Sequence, residues 1–269
     1  MARRWTTQEE ELLRAELVDL YVTKNLTIFE IAKKLGIKYQ TVYDRLLRLG
    51  IQSNPTSKLG NAQNRRGDVI LPKEYSPDLA EFFGIMLGDG HLAHFQMMVT
   101  LGTKESEYVL CVQKLMKKLF SVRAHHAINH KGYHTVYIGS RNLVQWFEKE
   151  GLVANKVKLQ VGVPEWIFEK DEYMMRFLKG FFDTDGSVYK LKFGIQISFC
   201  NHSIPILRAL RSMLKMLKYS PSAISGWQLY LTKREDVARF FKQIKPANSK
   251  HVQRYNKFKS AGSPVEGGS

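Results

Sequence analysis

Two segments of this chain repeat one short pattern: an apolar helical run holding a glycine, then an acidic residue and a second glycine. Phe82-Phe83-Gly84-Ile85-Met86-Leu87-Gly88-Asp89-Gly90 lies over Leu178-Lys179-Gly180-Phe181-Phe182-Asp183-Thr184-Asp185-Gly186. Such a duplication constrains the fold strongly, because two copies in one chain can build one site with one carboxylate from each. Asp89 and Asp185 are therefore the first residues to explain.

The order of elements downstream repeats as well. The first copy reads as helix Ser76–Gly88, a strand pair within His91–Leu101, and helix Lys104–Phe120. Strands near Val122–Asn129 and Tyr133–Ile138 and helix Arg141–Glu150 complete it. The second reads as helix Glu172–Thr184, strands Ser187–Tyr189 and Phe193–Cys200, and helix Ile204–Leu217. Strands Ser222–Ser225 and Trp227–Leu231 and helix Glu235–Ile244 follow. Strand alternation sets Ile195, Ile197 and Phe199 on one face and Gln196, Ser198 and Cys200 on the other. The fold class expected is α+β: two pseudo-symmetric αββαββα repeats plus a small all-α domain.

Gly84 and Gly88 are one helical turn apart, as are Gly180 and Thr184, so each pair gives its helix a face of small residues. Two such faces allow backbones to approach, with Phe82, Phe83, Phe181 and Phe182 packing into the flanking cores. Asp89 and Asp185 then end side by side at helix C-termini, where mutual repulsion adds to an unfavourable dipole. A divalent cation relieves both. Gly90 and Gly186 are expected to turn the chain from helix into strand.

The 41 Lys and Arg against 25 Asp and Glu leave a net charge of +16, which favours a polyanionic partner such as nucleic acid. Acids and bases nearly balance over residues 1–55, so almost all of that excess belongs to the larger part of the chain, which must carry most phosphate contact. Cys111 and Cys200 form neither a paired zinc motif nor a disulfide framework, so a reducing compartment is expected, cytoplasmic or organellar. No apolar run is long enough to span a membrane, and no targeting segment is visible. The Gly/Ser-rich residues 260–269 read as a disordered tail. The eight histidines show no metal-ligand spacing, and neighbours His125 and His126 on a strand point to opposite faces.

Residues 1–52 read as a separate helical domain. Thr7 caps a helix with an acidic first turn, Thr27 caps Ile28 to Leu35, Gly36 breaks the chain, and a further helix runs from Lys38 or Tyr39 to Leu49. Ile31, Leu35, Ile37, Val42 and Leu46 supply a small core, with Ala32 where two helices pass. This segment resembles a helix-turn-helix unit, which implies that Lys38, Tyr39, Gln40, Thr41, Asp44, Arg45 and Arg48 face a major groove. A helical hairpin for protein contact is the competing reading. Residues 53–73 are polar and aperiodic, a linker in which Lys58, Arg65 and Arg66 can follow a phosphate backbone.

The two glycine–acid motifs and their matching downstream elements resemble the LAGLIDADG homing endonuclease family in its single-chain, two-motif form, over residues 74–160 and 161–259. The second motif matches closely, whereas in the first Leu87 replaces the inner acid and Gly88 the small residue before Asp89. The resemblance implies a monomeric, site-specific nuclease that cuts both strands of double-stranded DNA across the minor groove, at a long asymmetric site. It implies Asp89 and Asp185 as catalytic metal ligands with Gly88 and Thr184 beside them, and two or three Mg²⁺ ions for which Mn²⁺ substitutes. A lysine near each carboxylate is implied at Lys156 and Lys250, with Lys158 competing for the first place. The strands then form a saddle over the major groove, read by His91, His94, Gln96, Arg123, His125, Asn129, His130, Tyr133, Tyr189, Lys190, Lys192, Gln196, Ser222 and Gln228. The basic and aromatic stretch 250–259, including Lys257, follows phosphate. Alternatives are a catalytically silent DNA-binding regulator of the same fold or an RNA-splicing maturase. An intein-embedded nuclease is disfavoured, since a nucleophilic first residue and a terminal His-Asn pair are lacking.

Overall fold

The computed structural model describes residues 7–24, 26–51 and 67–260, in two compact units. Arg65, Arg66, most of the expected linker and residues 261–269 lie outside the described residues.

In the smaller unit, α1 (Thr7–Val18) continues into one wider helical turn at Asp19–Thr23. α2 (Ile28–Leu35) begins at a reciprocal cap. The Thr27 hydroxyl accepts from the Glu30 N–H at 3.2 Å, and the Glu30 carboxylate accepts from the Thr27 N–H at 2.7 Å. Gly36, at φ 65°, takes the left-handed turn that ends α2, and α3 (Tyr39–Arg48) follows. Leu17, Leu20, Ile31, Ala32, Val42 and Leu46 are buried together, with Leu35 and Ile37 packed at their margin. This leaves Lys38, Tyr39, Gln40, Asp44 and Arg48 exposed along α3, with Thr41 and Arg45 half-buried between them.

The larger unit opens with α4 (Pro77–Gly88), capped by the Ser76 hydroxyl accepting from the Leu79 N–H at 3.2 Å. β1 (Gly90–Leu92), β2 (Gln96–Leu101), α5 (Ser106–Phe120), β3 (His125–Ile128), β4 (His134–Gly139) and α6 (Arg141–Lys149) follow. The strands form an antiparallel sheet in the order β1-β2-β4-β3. After a short 3₁₀ turn at Glu165–Phe168 come α7 (Asp171–Asp185), β5 (Gly186–Leu191), β6 (Gly194–Cys200), α8 (Ile204–Met216), β7 (Gln228–Leu231), α9 (Arg234–Gln243) and α10 (Ser249–Ser260). Their antiparallel sheet runs β5-β6-β7.

One expectation needs correction. The second sheet has three strands, because residues 222–225 contribute only one bridge, Ser225 to Gln228. The Ser222 carbonyl accepts from Arg211, and the Ser222 hydroxyl accepts from the Tyr230 N–H in the place of a ladder carbonyl. Side chains thus take groups that a fourth strand would pair. The basic and aromatic stretch after Asn248 forms α10, whose His251 is buried against the Phe182 ring.

Parity along the strands decides which residues share a face. Met97, Val99, Val136 and Ile138 are buried, so their alternates Gln96, Met98 and Tyr137 occupy the other face, together with His91 and His125. On the second sheet Val188 pairs with Ile197 on the buried face, and Tyr189 pairs with Gln196 on the open one. One aromatic cluster packs under each sheet: Phe82, Phe120 and Phe147 in the first half, Phe182, Phe199 and Phe240 in the second. Each such ring contributes roughly 1.5–3 kcal/mol by leaving water.

Candidate functional site

The site is set by how closely α4 and α7 approach. A methyl at Gly84 would collide with the Phe177 carbonyl and lie 2.7 Å from the Phe181 nitrogen. One at Gly180 would collide with the Glu81 carbonyl and lie 3.1 Å from the Ile85 nitrogen. The contacts are reciprocal: residues 81, 84 and 85 meet 177, 180 and 181, spaced as Asp89 is from Asp185. Further along, Gly88 packs on Thr184, whose hydroxyl is already donated to the carbonyls of Gly180 and Phe181. Charge pins the other end of the helix pair, where Glu81 meets Arg176 at 2.7 Å and Lys179 at 2.9 Å. The glycine requirement at Gly186 is one of space: its φ is an ordinary −88°, but a side chain there would run into Phe182.

This packing delivers Asp89 and Asp185 to adjoining helix ends, each only partly exposed. Burial and then the charge of Asp185 push the Asp89 carboxyl up to about 7, against the opposing pull of Lys156 and Lys250. Burial also raises Asp185, opposed by a hydrogen bond from the Asn201 amide at 2.8 Å and by the same two lysines. Two carboxylates that resist ionisation while facing each other form a hard oxygen donor set whose strain a divalent cation relieves. The residues fit such an ion. Among the described residues no three His, Cys, Asp or Glu side chains gather as a metal cluster, so its remaining ligands would be carbonyl, phosphate or water oxygens.

Lys156 and Lys250 both come to this place, by different routes. The Lys156 ammonium donates to the carbonyls of Met86, at 3.1 Å, Gly90, at 3.0 Å, and Gly88, capping the negative end of α4. Its burial lowers its pKa, opposed by Asp185 and Asp89. Lys158 is exposed and makes no such contact. Lys250 instead pairs with Glu105 at 2.6 Å. Burial pushes Glu105 up, but Lys250, the Asn248 amide and the Gly102 N–H outweigh it and hold the carboxyl below its ordinary value. Asp183, fully buried, fixes the turn just before Lys250: its carboxylate accepts from the Ala247 and Asn248 N–H groups, each at 2.9 Å.

Sequence reasoning missed Glu105, Asn201 and the task of Asp183. The only signal was that the second motif keeps the inner acid which Leu87 replaces in the first. Asn201 carries a local sign as well, its side chain accepting from the Ser203 N–H two residues on. Among the expected base readers, Gln96 and His125 share the open face of the first sheet, and Gln196 and Gln228 that of the second. Lys190, paired with Ile195, sits on the face opposite Gln196, and Lys192 is in the hairpin tip. His94 and Arg123 are exposed beside β1 and β3, and Lys257 is exposed on α10.

A replication factor C small subunit from Methanocaldococcus jannaschii is 26% identical over 213 residues, which are 75% of this chain and 11% of that protein. Similarity also extends to a solved N-terminal LAGLIDADG domain of DUF199/WhiA, 17% identical with a TM-score of 0.47, covering 65% of this chain and 86% of that one. I-DmoI, solved with DNA and Ca, is 15% identical with a TM-score of 0.45, over 62% of this chain and 88% of its own. The model of the LAGLIDADG-like domain matches residues 172–245, from α7 through α9. The segment that carries Asp185 and its sheet is therefore a LAGLIDADG-like domain.

Proposed function

We propose that the chain is a site-specific, Mg²⁺-dependent double-strand DNA endonuclease acting as a monomer. The observation that carries this reading is the pair of mutually repelling carboxylates, Asp89 and Asp185, at the touching ends of α4 and α7, with two ammonium groups alongside. When bound there, a divalent cation supplies charge neutralisation on the phosphate and an activated water. The chain's own residues do the rest. Asp89 and Asp185 hold the ion, Asn201 fixes the Asp185 carboxylate, and Lys156 fixes the turn that presents Asp89. Lys250 stands ready to neutralise a phosphoryl oxygen.

The basic excess of the larger part supports contact with phosphate over many base pairs, and the two sheets differ in sequence, which suits unlike half-sites. In this reading residues 1–52 form a helix-turn-helix domain, 53–73 a linker that raises the local concentration of each module, and 74–160 with 161–259 the paired repeats. Incubating a supercoiled plasmid library with Mg²⁺ or Mn²⁺ tests it. A sequence-specific linear product is expected, absent in Asp185→Asn and Asp89→Asn. Tight specific binding without product in either metal would favour a silent DNA-binding regulator, and preferential binding to intron RNA a maturase.

A further inference from the structure

A second feature lies at the far end of β5, about 20 Å along the strand from Asp185. The hairpin tip joining β5 to β6, the start of α9 and the end of α10 enclose a cavity of about 610 Å³, within the range of small-ligand sites. Its lining includes Lys190, Lys192, Arg234 and Lys259, and no Asp or Glu. None of these four cations has an acidic partner among the described residues. Parity explains part of this concentration, since Lys190 follows Val188 onto the face that the helices cover. Aromatic surface is built into the same wall. Phe193 is 89% exposed at the tip with the Lys192 ammonium 5.1 Å from its ring centre, and Tyr255 is held from behind by stacking on Phe241 at 4.0 Å.

Four cations with no acidic partner among the described residues repel one another and favour an anion. An exposed ring favours a flat partner, and the volume suits one nucleotide rather than a duplex. We propose that this cavity binds a single unpaired nucleotide, with its base against Phe193 and its phosphate among Lys190, Arg234 and Lys259. The same chemistry has two sources, a free mononucleotide or a nucleotide extruded from a DNA strand. Stacking with cationic backbone contact is the usual physics of single-strand binding, and each stacked base carries enough energy for about a tenfold change in affinity. The inference is independent of whether Asp89 and Asp185 cut DNA.

The test uses the full chain in EDTA, with fluorescence anisotropy of a labelled twelve-nucleotide oligothymidylate and of a labelled blunt duplex, and with deoxyadenosine monophosphate as competitor. Phe193→Ala and Arg234→Gln should each weaken oligothymidylate binding about tenfold while changing duplex binding less than twofold. Both alter exposed positions, so matched thermal unfolding would show intact folding. Competition by the mononucleotide, lost in both variants, assigns a free nucleotide as occupant; loss for the oligomer without competition assigns a strand. Unchanged single-strand binding in both variants, or equal losses for strand and duplex, would overturn the proposal.

Discussion

Glu105, on the turn before α5 in the first half, holds Lys250, at the start of α10 in the second, at 2.6 Å. The pair joins the halves beside the carboxylates, and Glu105 is 8% exposed while accepting from the Asn248 amide and the Gly102 N–H as well. Replacing it with glutamine leaves a donor facing donors. Glu105→Gln should lower unfolding stability by about 1–3 kcal/mol in urea titrations. An unchanged midpoint would show that the contact adds nothing to the junction.

Helix approach gives a sharper steric prediction. Gly84→Ala and Gly180→Ala place a methyl against backbone carbonyls that no rotamer change can move. Each should cost about 3 kcal/mol or more. Gly139→Ala meets nothing within 4 Å and should be close to neutral, which makes it the control. Equal stability of all three variants, measured by thermal unfolding, would contradict the packing described.

Asp89 makes stability depend on pH in a definite direction. Its folded carboxyl titrates at about 7 against an ordinary 3.8, so the folded state keeps a proton that the unfolded chain releases. Stability from this group is complete below about pH 4 and is lost as pH rises through 7. Asp183, also raised to about 7 by burial, acts in the same sense. Asp89→Asn should flatten part of the fall in Tm across this window. Mg²⁺ should raise Tm at pH 8 in the native chain and much less in Asp89→Asn.

The smaller unit yields a prediction about affinity. Deleting residues 1–52 should weaken binding to the selected target at least about tenfold, with residual cutting, since α3 presents exposed Lys38, Gln40 and Arg48. Equal affinity of the shortened and full chains would assign α3 to another partner.

Local signals read well where short-range chemistry decides. Thr27 and Gly36 mark the ends of α2, and Ser76 the start of α4, because each cap is satisfied within a few residues. Alternation placed Ile197 and Phe199 inward on β6. The reading failed at Ser222, whose carbonyl is taken by Arg211 from another element. That partner is not visible from local pattern.

The sequence by itself determined that the chain carries two like segments, each ending in an acid, and that small residues line the helix before each. Only the tertiary structure decided that Lys156 caps α4, that Asp183 and Glu105 secure the approach to Lys250, and that Lys190 turns away from Gln196. The reason is physical. Helix caps and strand alternation depend on neighbours in the chain, whereas the charge state of a buried acid depends on what distant segments bring within a few ångströms of it.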